Sequence, residues 1–153
     1  MSEPAPHLLI VDDDERIRGL LREFLARHGF LVSAARDAAH ARRILSGLEF
    51  DMIVLDVMMP GEDGVALTKA LRETMRKEGV SEDTAIVMAG GVWFLREWND
   101  WIDNPELGKI AFQFGTRPLL TQESPIPQGW KDMLRTLEPG DVLLHKFSPT
   151  GFY

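Results

Sequence analysis

Three carboxylates, Asp12, Asp13 and Asp56, stand where they could do chemistry together. Each follows a short apolar run: Leu8-Leu9-Ile10-Val11 precedes the pair, and Met52-Ile53-Val54-Leu55 precedes Asp56. Acids gathered at one point repel one another unless a cation neutralises them or one takes up a proton. Hard oxygen ligands suit Mg²⁺, which keeps several waters and can bridge to a phosphoryl oxygen. Acids behind an apolar run also cap helices, and Asp14 is placed to do so. Asp12-Asp13 alone fits capping; Asp56 at a second matching position turns the balance toward a site. Two further pairs, Gly90-Gly91 and Gly115-Thr116, carry the glycines that tight turns favour. Alone, such pairs are ordinary turns. The histidines, His7, His28, His40 and His145, fall on a leader, a helix end, a helix and the tail, where surface roles suit them better than catalysis. No complete catalytic constellation emerges, which leans the reading away from an enzyme.

The elements that must position these residues alternate along the chain. Leu8 to Val11 reads as a strand buried on both faces. Asp14 opens a helix with the stripe Ile17, Leu20, Leu21, Phe24 and Leu25, stopped by Gly29. Phe30 to Ala34 is a weaker strand suited to an edge. Asp37 caps a second helix carrying Ala41, Ile44 and Leu45, closed by Gly47. Met52 to Leu55 is another buried strand, and Pro60-Gly61 with Asp63-Gly64 punctuates the loop before a third helix bearing Leu67, Leu71 and Met75. Thr84 to Ala89 is a fourth strand, and Phe94, Leu95, Trp98, Trp101 and Ile102 form a fourth helical stripe ending near Pro105. There Trp93, Trp98 and Trp101 read as core packing rather than a flavin box. Ile110 to Phe114 is a fifth strand, and Trp130, Met133, Leu134 and Leu137 make a short fifth helix ended by Pro139-Gly140.

Five strands alternating with five helices imply a parallel sheet covered on both faces, because parallel strands need crossover connections. The predicted fold is a flavodoxin-like, doubly wound five-stranded α/β domain, order 2-1-3-4-5, with an extra C-terminal tail. In that order the first and third strands are neighbours, and the crevice at their carboxyl ends is the expected ligand site.

Composition narrows the classes. The 153 residues suit one domain, and 44% apolar residues are enough for a core. The net charge of −7 is spread over both halves with no basic patch of the kind nucleic acid requires. The absence of cysteine excludes disulfides and thiolate metal sites. No apolar run approaches a membrane span, and Met1 to His7 lacks the regions of a signal peptide. The expectation is an acidic cytoplasmic protein with neither membrane nor nucleic-acid partner.

Leu9-Ile10-Val11-Asp12-Asp13-Asp14, with Leu55-Asp56-Val57-Met58-Met59-Pro60-Gly61-Glu62-Asp63-Gly64, closely resembles the receiver domain of bacterial two-component response regulators. It is most similar to the branch that carries a winged-helix DNA-binding domain, and the likeness covers residues 7–72. The resemblance implies that Asp56 accepts a phosphoryl group from a histidine kinase. It also implies Mg²⁺ held by Asp13, Asp56 and the Met58 backbone carbonyl, with Asp12 acting partly through water. Phosphoryl transfer is mostly positioning and charge neutralisation, which agrees. Three positions depart from the family. Met88-Ala89-Gly90-Gly91 carries no hydroxyl where receivers have Ser or Thr, Arg117-Pro118 replaces Lys-Pro, and Phe114 stands at the aromatic switch position, often Tyr. An Arg fork is not a compact ammonium. The expectation is an impaired switch, with weak Mg²⁺ binding and slow, poorly retained phosphorylation of Asp56.

The second half resembles another family. Ala89-Gly90-Gly91-Val92-Trp93, Phe112-Gln113-Phe114-Gly115-Thr116-Arg117 and Phe147-Ser148-Pro149-Thr150-Gly151-Phe152 look like the C-terminal part of flavin-dependent nitronate monooxygenases, which are TIM barrels. That likeness, from Asp83 to Tyr153, implies an FMN phosphate held by Gly90, Gly91, Gly115 and Thr116 in the loops after the last two barrel strands. Together the two resemblances suggest an engineered or recombined chimera with little native activity. Residues 7–76 would be receiver-like units one to three, 83–125 barrel-like units four and five, and 126–153 a short helix and apolar tail, all in one domain over 1–153. An FMN- or phosphate-binding scaffold is the alternative function. Val142-Leu143-Leu144, Phe147, Phe152 and Tyr153 are too apolar to be left in water, which points to a homodimer through the C-terminal region.

Overall fold

A computed structural model describes residues 4–59, 64–79, 81, 83–90, 92, 94–115 and 117–138. It falls into two compact units, residues 1–114 and 115–153. The first holds five strands, β1 (His7–Val11), β2 (Leu31–Ala35), β3 (Met52–Asp56), β4 (Ala85–Ala89) and β5 (Ile110–Phe112), with helices α1 (Glu15–Arg27), α2 (Ala38–Leu45) and α3 (Gly64–Lys77). The strands form one parallel sheet in the order β2-β1-β3-β4-β5, as the alternation of strand and helix predicts.

Local chemistry sets the element ends. Asp14 caps α1, accepting from the backbone N–H of Arg16 at 2.8 Å and of Ile17 at 3.4 Å. Asp37 caps α2 through the N–H of His40 at 2.7 Å. Gly29, at φ +88°, takes the left-handed conformation that ends α1 and turns the chain into β2. The main core lies on one face of the sheet. Leu9, Val11, Ile53, Leu55, Ile86 and Met88 point there and meet Leu45 of α2 and Leu67, Leu71 and Met75 of α3. Across the other face α1 buries none of its residues, and Leu20 and Phe24 are 51% and 58% exposed.

The fourth helix predicted over Phe94 to Ile102 does not form. A 3-10 turn at Leu95–Trp98 is followed by successive turns. Positive φ at Asp103 (55°) and Gly108 (63°) reverses the chain around Pro105. The apolar stripe is buried only in part: Trp101 is buried and packs edge-on against Trp98 with ring centroids 4.9 Å apart, while Leu95 and Ile102 are exposed. Trp98 and Trp101 are packing residues, as expected, and Trp93 lies outside the described residues.

The chimeric reading is corrected by the sheet. β4 runs beside β3 in one continuous parallel register, Met52↔Ala85 to Asp56↔Ala89, and β5 runs beside β4. The sheet stays open, with β2 and β5 as its edges, so units four and five are not a piece of a closed TIM barrel. They complete the receiver-type sheet because their strands pair with β3 as a native fourth and fifth strand would.

The second unit contains a 3-10 turn at Arg117–Leu120 and helix α4 (Gln128–Thr136), one residue short of the predicted Leu137. Buried Lys131 ties them together, its Nζ donating to the carbonyls of Thr121 at 2.6 Å and Ser124 at 3.0 Å. The apolar tail proposed for homodimerisation, including Val142 to Leu144, Phe147, Phe152 and Tyr153, lies outside the described residues, as does His145.

Candidate functional site

The register of the sheet brings the three carboxylates together. Val11 of β1 pairs with Leu55 of β3, so Asp12 and Asp56, one residue further on, leave the sheet side by side. A carboxylate oxygen from each of Asp12, Asp13 and Asp56 lies within 4.8 Å of the others. Asp12 is buried, Asp56 half-buried and Asp13 exposed. Backbone groups orient the first and last of these. Asp12 Oδ1 accepts from the N–H of Asp14 at 2.8 Å, and Asp56 Oδ1 accepts from the N–H of Met58 at 2.8 Å. Arg18, one turn into α1, donates Nη1 to the Asp12 carbonyl at 2.6 Å and so fixes the backbone rather than the charge.

Burial pushes the Asp12 carboxyl above its ordinary pKa. The bond from Asp14 N–H opposes this, while the charges of Asp56, Asp13 and Asp14 add to the rise. Among the described residues, no Lys or Arg side chain pairs with any of the three carboxylates. A divalent cation is the neutralising partner this donor set fits, with hard oxygens on one side and water access at Asp13 on the other. The sign of the pH dependence follows. The raised Asp12 group contributes stability below the ordinary aspartate range, and that contribution is lost as pH rises through its elevated value. Mg²⁺ should therefore raise the melting temperature at neutral pH and have little effect once the cluster is protonated. Equal shifts at both pH values, by calorimetry, would contradict a carboxylate metal site. Exposed Asp14, whose bonds to Arg16 lower its pKa, works in the opposite sense without metal and cancels in the Mg²⁺ difference.

Gly90, after β4, is the neighbour that sequence reasoning assigned differently. At φ +78° it lies so close to the cluster that a Cβ there would overlap Oδ1 of Asp56 and come within 3.2 Å of Met58 Cγ. Its lack of a side chain makes room for the Asp56 carboxylate. Gly91 and Thr116 lie outside the described residues, while Gly115 and Arg117 belong to the second unit. Met58 follows β3 with an exposed side chain, so any part it plays falls to its backbone.

Comparison with known proteins agrees with this geometry. Residues 8–91 match the Response regulator receiver domain family. PetR of Rhodobacter capsulatus is 76% identical over 75 residues, 49% of this chain and 32% of PetR. Regulatory protein VirG of Agrobacterium fabrum is 32% identical over 124 residues, 79% of this chain and 46% of VirG. The chain thus spans less than half the length of these curated relatives. Among solved structures, chemotaxis protein CheY4 of Vibrio cholerae aligns over 87% of this chain and 99% of its own, with a TM-score of 0.60 and 25% identity. A response regulator receiver protein from Pseudomonas putida aligns over 72% of this chain and 86% of its own, at a TM-score of 0.57 and 25% identity. These findings overturn the nitronate-monooxygenase likeness of residues 83–153 and, with it, the FMN assignment. The receiver match runs through β4 to residue 91, and the aligned fold is the open receiver sheet. Among the described residues no helix is long and apolar enough to cross a membrane.

Proposed function

This chain belongs to the response regulator receiver domain family, and we propose that it receives a phosphoryl group on Asp56. The observation that carries the reading is the convergence of Asp12, Asp13 and Asp56 at the carboxyl ends of two adjacent strands, with no Lys or Arg side chain paired to them among the described residues. Asp13, Asp56 and the Met58 carbonyl would hold Mg²⁺, with Asp12 reaching it partly through water. Bound there, the ion would neutralise the carboxylates and the incoming phosphoryl oxygens. A carboxylate oxygen of Asp56 attacks phosphorus as the donor's bond to it breaks, leaving an acyl phosphate on the protein. The N–H of Met58 holds that carboxylate in place, and Gly90 leaves the space beside it open. A phosphohistidine of a histidine kinase is the donor class we assign, in the cytoplasm, with the phosphorylated form acting as the input of a larger regulatory protein. Because Met88, Ala89 and Gly90 bring no hydroxyl, and Arg117 stands where Lys is usual, phosphorylation should be slow and the product short-lived.

Intact-mass measurement after incubation with Mg²⁺ and a small-molecule phosphodonor tests the reading. The full chain should gain one phosphoryl group, Asp56→Ala none, and chelation of Mg²⁺ should prevent the gain. Modification of Asp56→Ala to the same extent would place the chemistry elsewhere and end this assignment.

A further inference from the structure

The acidic site leaves unused a groove that shares Arg18 with its surroundings. About 370 Å³ in volume, it lies between α1 and α2, lined by Arg18, Gly19 and Arg22 of α1, Arg36 beyond β2, and His40 of α2, with Glu15 as the acid among them. Three guanidinium groups and an imidazole in one groove stand out in a chain of net charge −7. Their existing bonds leave donors to spare. Arg18 gives one N–H to the Asp12 carbonyl, and Arg36 gives Nε to Asp37 at 3.3 Å. Among the described residues Arg22 makes no hydrogen bond or ion pair. Nδ1 of His40 is buried with no hydrogen-bond partner.

Gly19 supplies an independent observation. It sits in the middle of α1, where glycine is a poor helix former, yet a Cβ there would touch nothing within 4 Å. No steric demand for glycine exists within the fold, but a side chain at this position would grow into the groove.

Three arginines against Glu15 and the Asp37 that pairs with Arg36 leave an excess of roughly one positive charge, to which a polyanion is drawn. Each guanidinium fork matches two oxygens of a phosphate, and several forks around one space suit linked phosphates better than a lone carboxylate. The volume is near the small end for ligand pockets, which suits a phosphate chain and not a nucleic-acid strand. We propose that this groove binds a small polyphosphate, a di- or triphosphate group either free or carried by a nucleotide, with Arg22 and Arg36 as its main ligands.

The test is titration of the full chain with pyrophosphate, tripolyphosphate and ADP, by calorimetry and amide NMR. EDTA is present and phosphodonor absent, so the outcome is independent of the metal site and of Asp56 phosphorylation. Saturable, salt-sensitive binding that shifts the amides around Arg22 and His40 is expected. Arg22→Ala and Arg36→Ala should each weaken it about tenfold, the scale of a lost charge-assisted bond. Gly19→Gln should fill the space and abolish binding while leaving the melting temperature equal or higher. Tighter binding of ADP than of pyrophosphate would identify a nucleotide, and equal binding the phosphate chain itself. No saturation with any of the three, or binding that survives Gly19→Gln, would overturn the proposal.

Discussion

Arg72→Met is expected to lower the unfolding free energy by about 3–5 kcal/mol, the range of the most damaging single substitutions. Arg72 lies on α3 and is 1% exposed. Its Nε donates to the Leu107 carbonyl at 2.7 Å, Nη1 to Thr84 at 2.7 Å and Nη2 to Lys109 at 2.6 Å. One side chain therefore ties α3 to the start of β4 and to the turn that leads into β5. Gly108, at φ +63°, belongs to the same arrangement, since a Cβ there would lie 3.1 Å from Arg72 Nε. Methionine matches the length and apolar stem but leaves the buried carbonyls of Leu107 and Thr84 without these donors, each a loss of about 1–3 kcal/mol before relaxation, while the part-buried Lys109 carbonyl keeps its bond from the Ile86 N–H. Lysine, with a single ammonium on a flexible stem, should recover only part of the loss. Urea denaturation at constant slope measures it; a change below about 1 kcal/mol would show that the three bonds are replaceable by water.

Gly90→Ala should cost the site far more than it costs the fold. The new methyl carbon would overlap Asp56 Oδ1, and the positive φ at residue 90 strains any L residue by about 1–2 kcal/mol. Asp56 must then swing aside and give up its bond from the Met58 N–H. Misplacement of a reacting group by about 1 Å can cost 10²-fold in rate, so phosphorylation should fall at least tenfold, and the Mg²⁺-induced rise in melting temperature should shrink with it. Gly115→Ala is the matched control, because a Cβ there meets nothing within 4 Å and its φ is ordinary. Phosphorylation of Gly90→Ala at the unaltered rate would mean that Asp56 does not need the space glycine leaves.

What could be read from the residues was whatever depends on near neighbours in sequence. The apolar runs ending in Asp12 and Asp56, the caps Asp14 and Asp37, and the stripe Leu67, Leu71, Met75 each carry their own local signal, and all are found as expected. The strand order followed from topology rules, and the acidic cluster followed from the strand order. The stripe Phe94 to Ile102 has helical spacing, but positive-φ turns and the burial of Trp101 outweigh local propensity there. Gly90 was read as a phosphate position through the likeness of residues 83–153 to a flavin barrel, and nothing local reveals that Asp56 lies across from it. Arg72 gave no signal at all. An arginine among helical polar residues looks solvated, and its acceptors lie 12 to 37 positions away.

The one-sided core has a consequence for how this molecule opens. Free energies of local opening track the apolar surface an element buries, from near zero for unanchored segments up to the global value for core strands. α1 buries none of its residues, while β1, β3 and α3 hold the core. Its amides should exchange with solvent through a sub-global event that leaves the remaining sheet intact, not through complete unfolding. In this protein the helix that begins two residues after Asp13 should form a weakly protected cooperative unit, and the strands that carry Asp12 and Asp56 to the site should belong to the most protected.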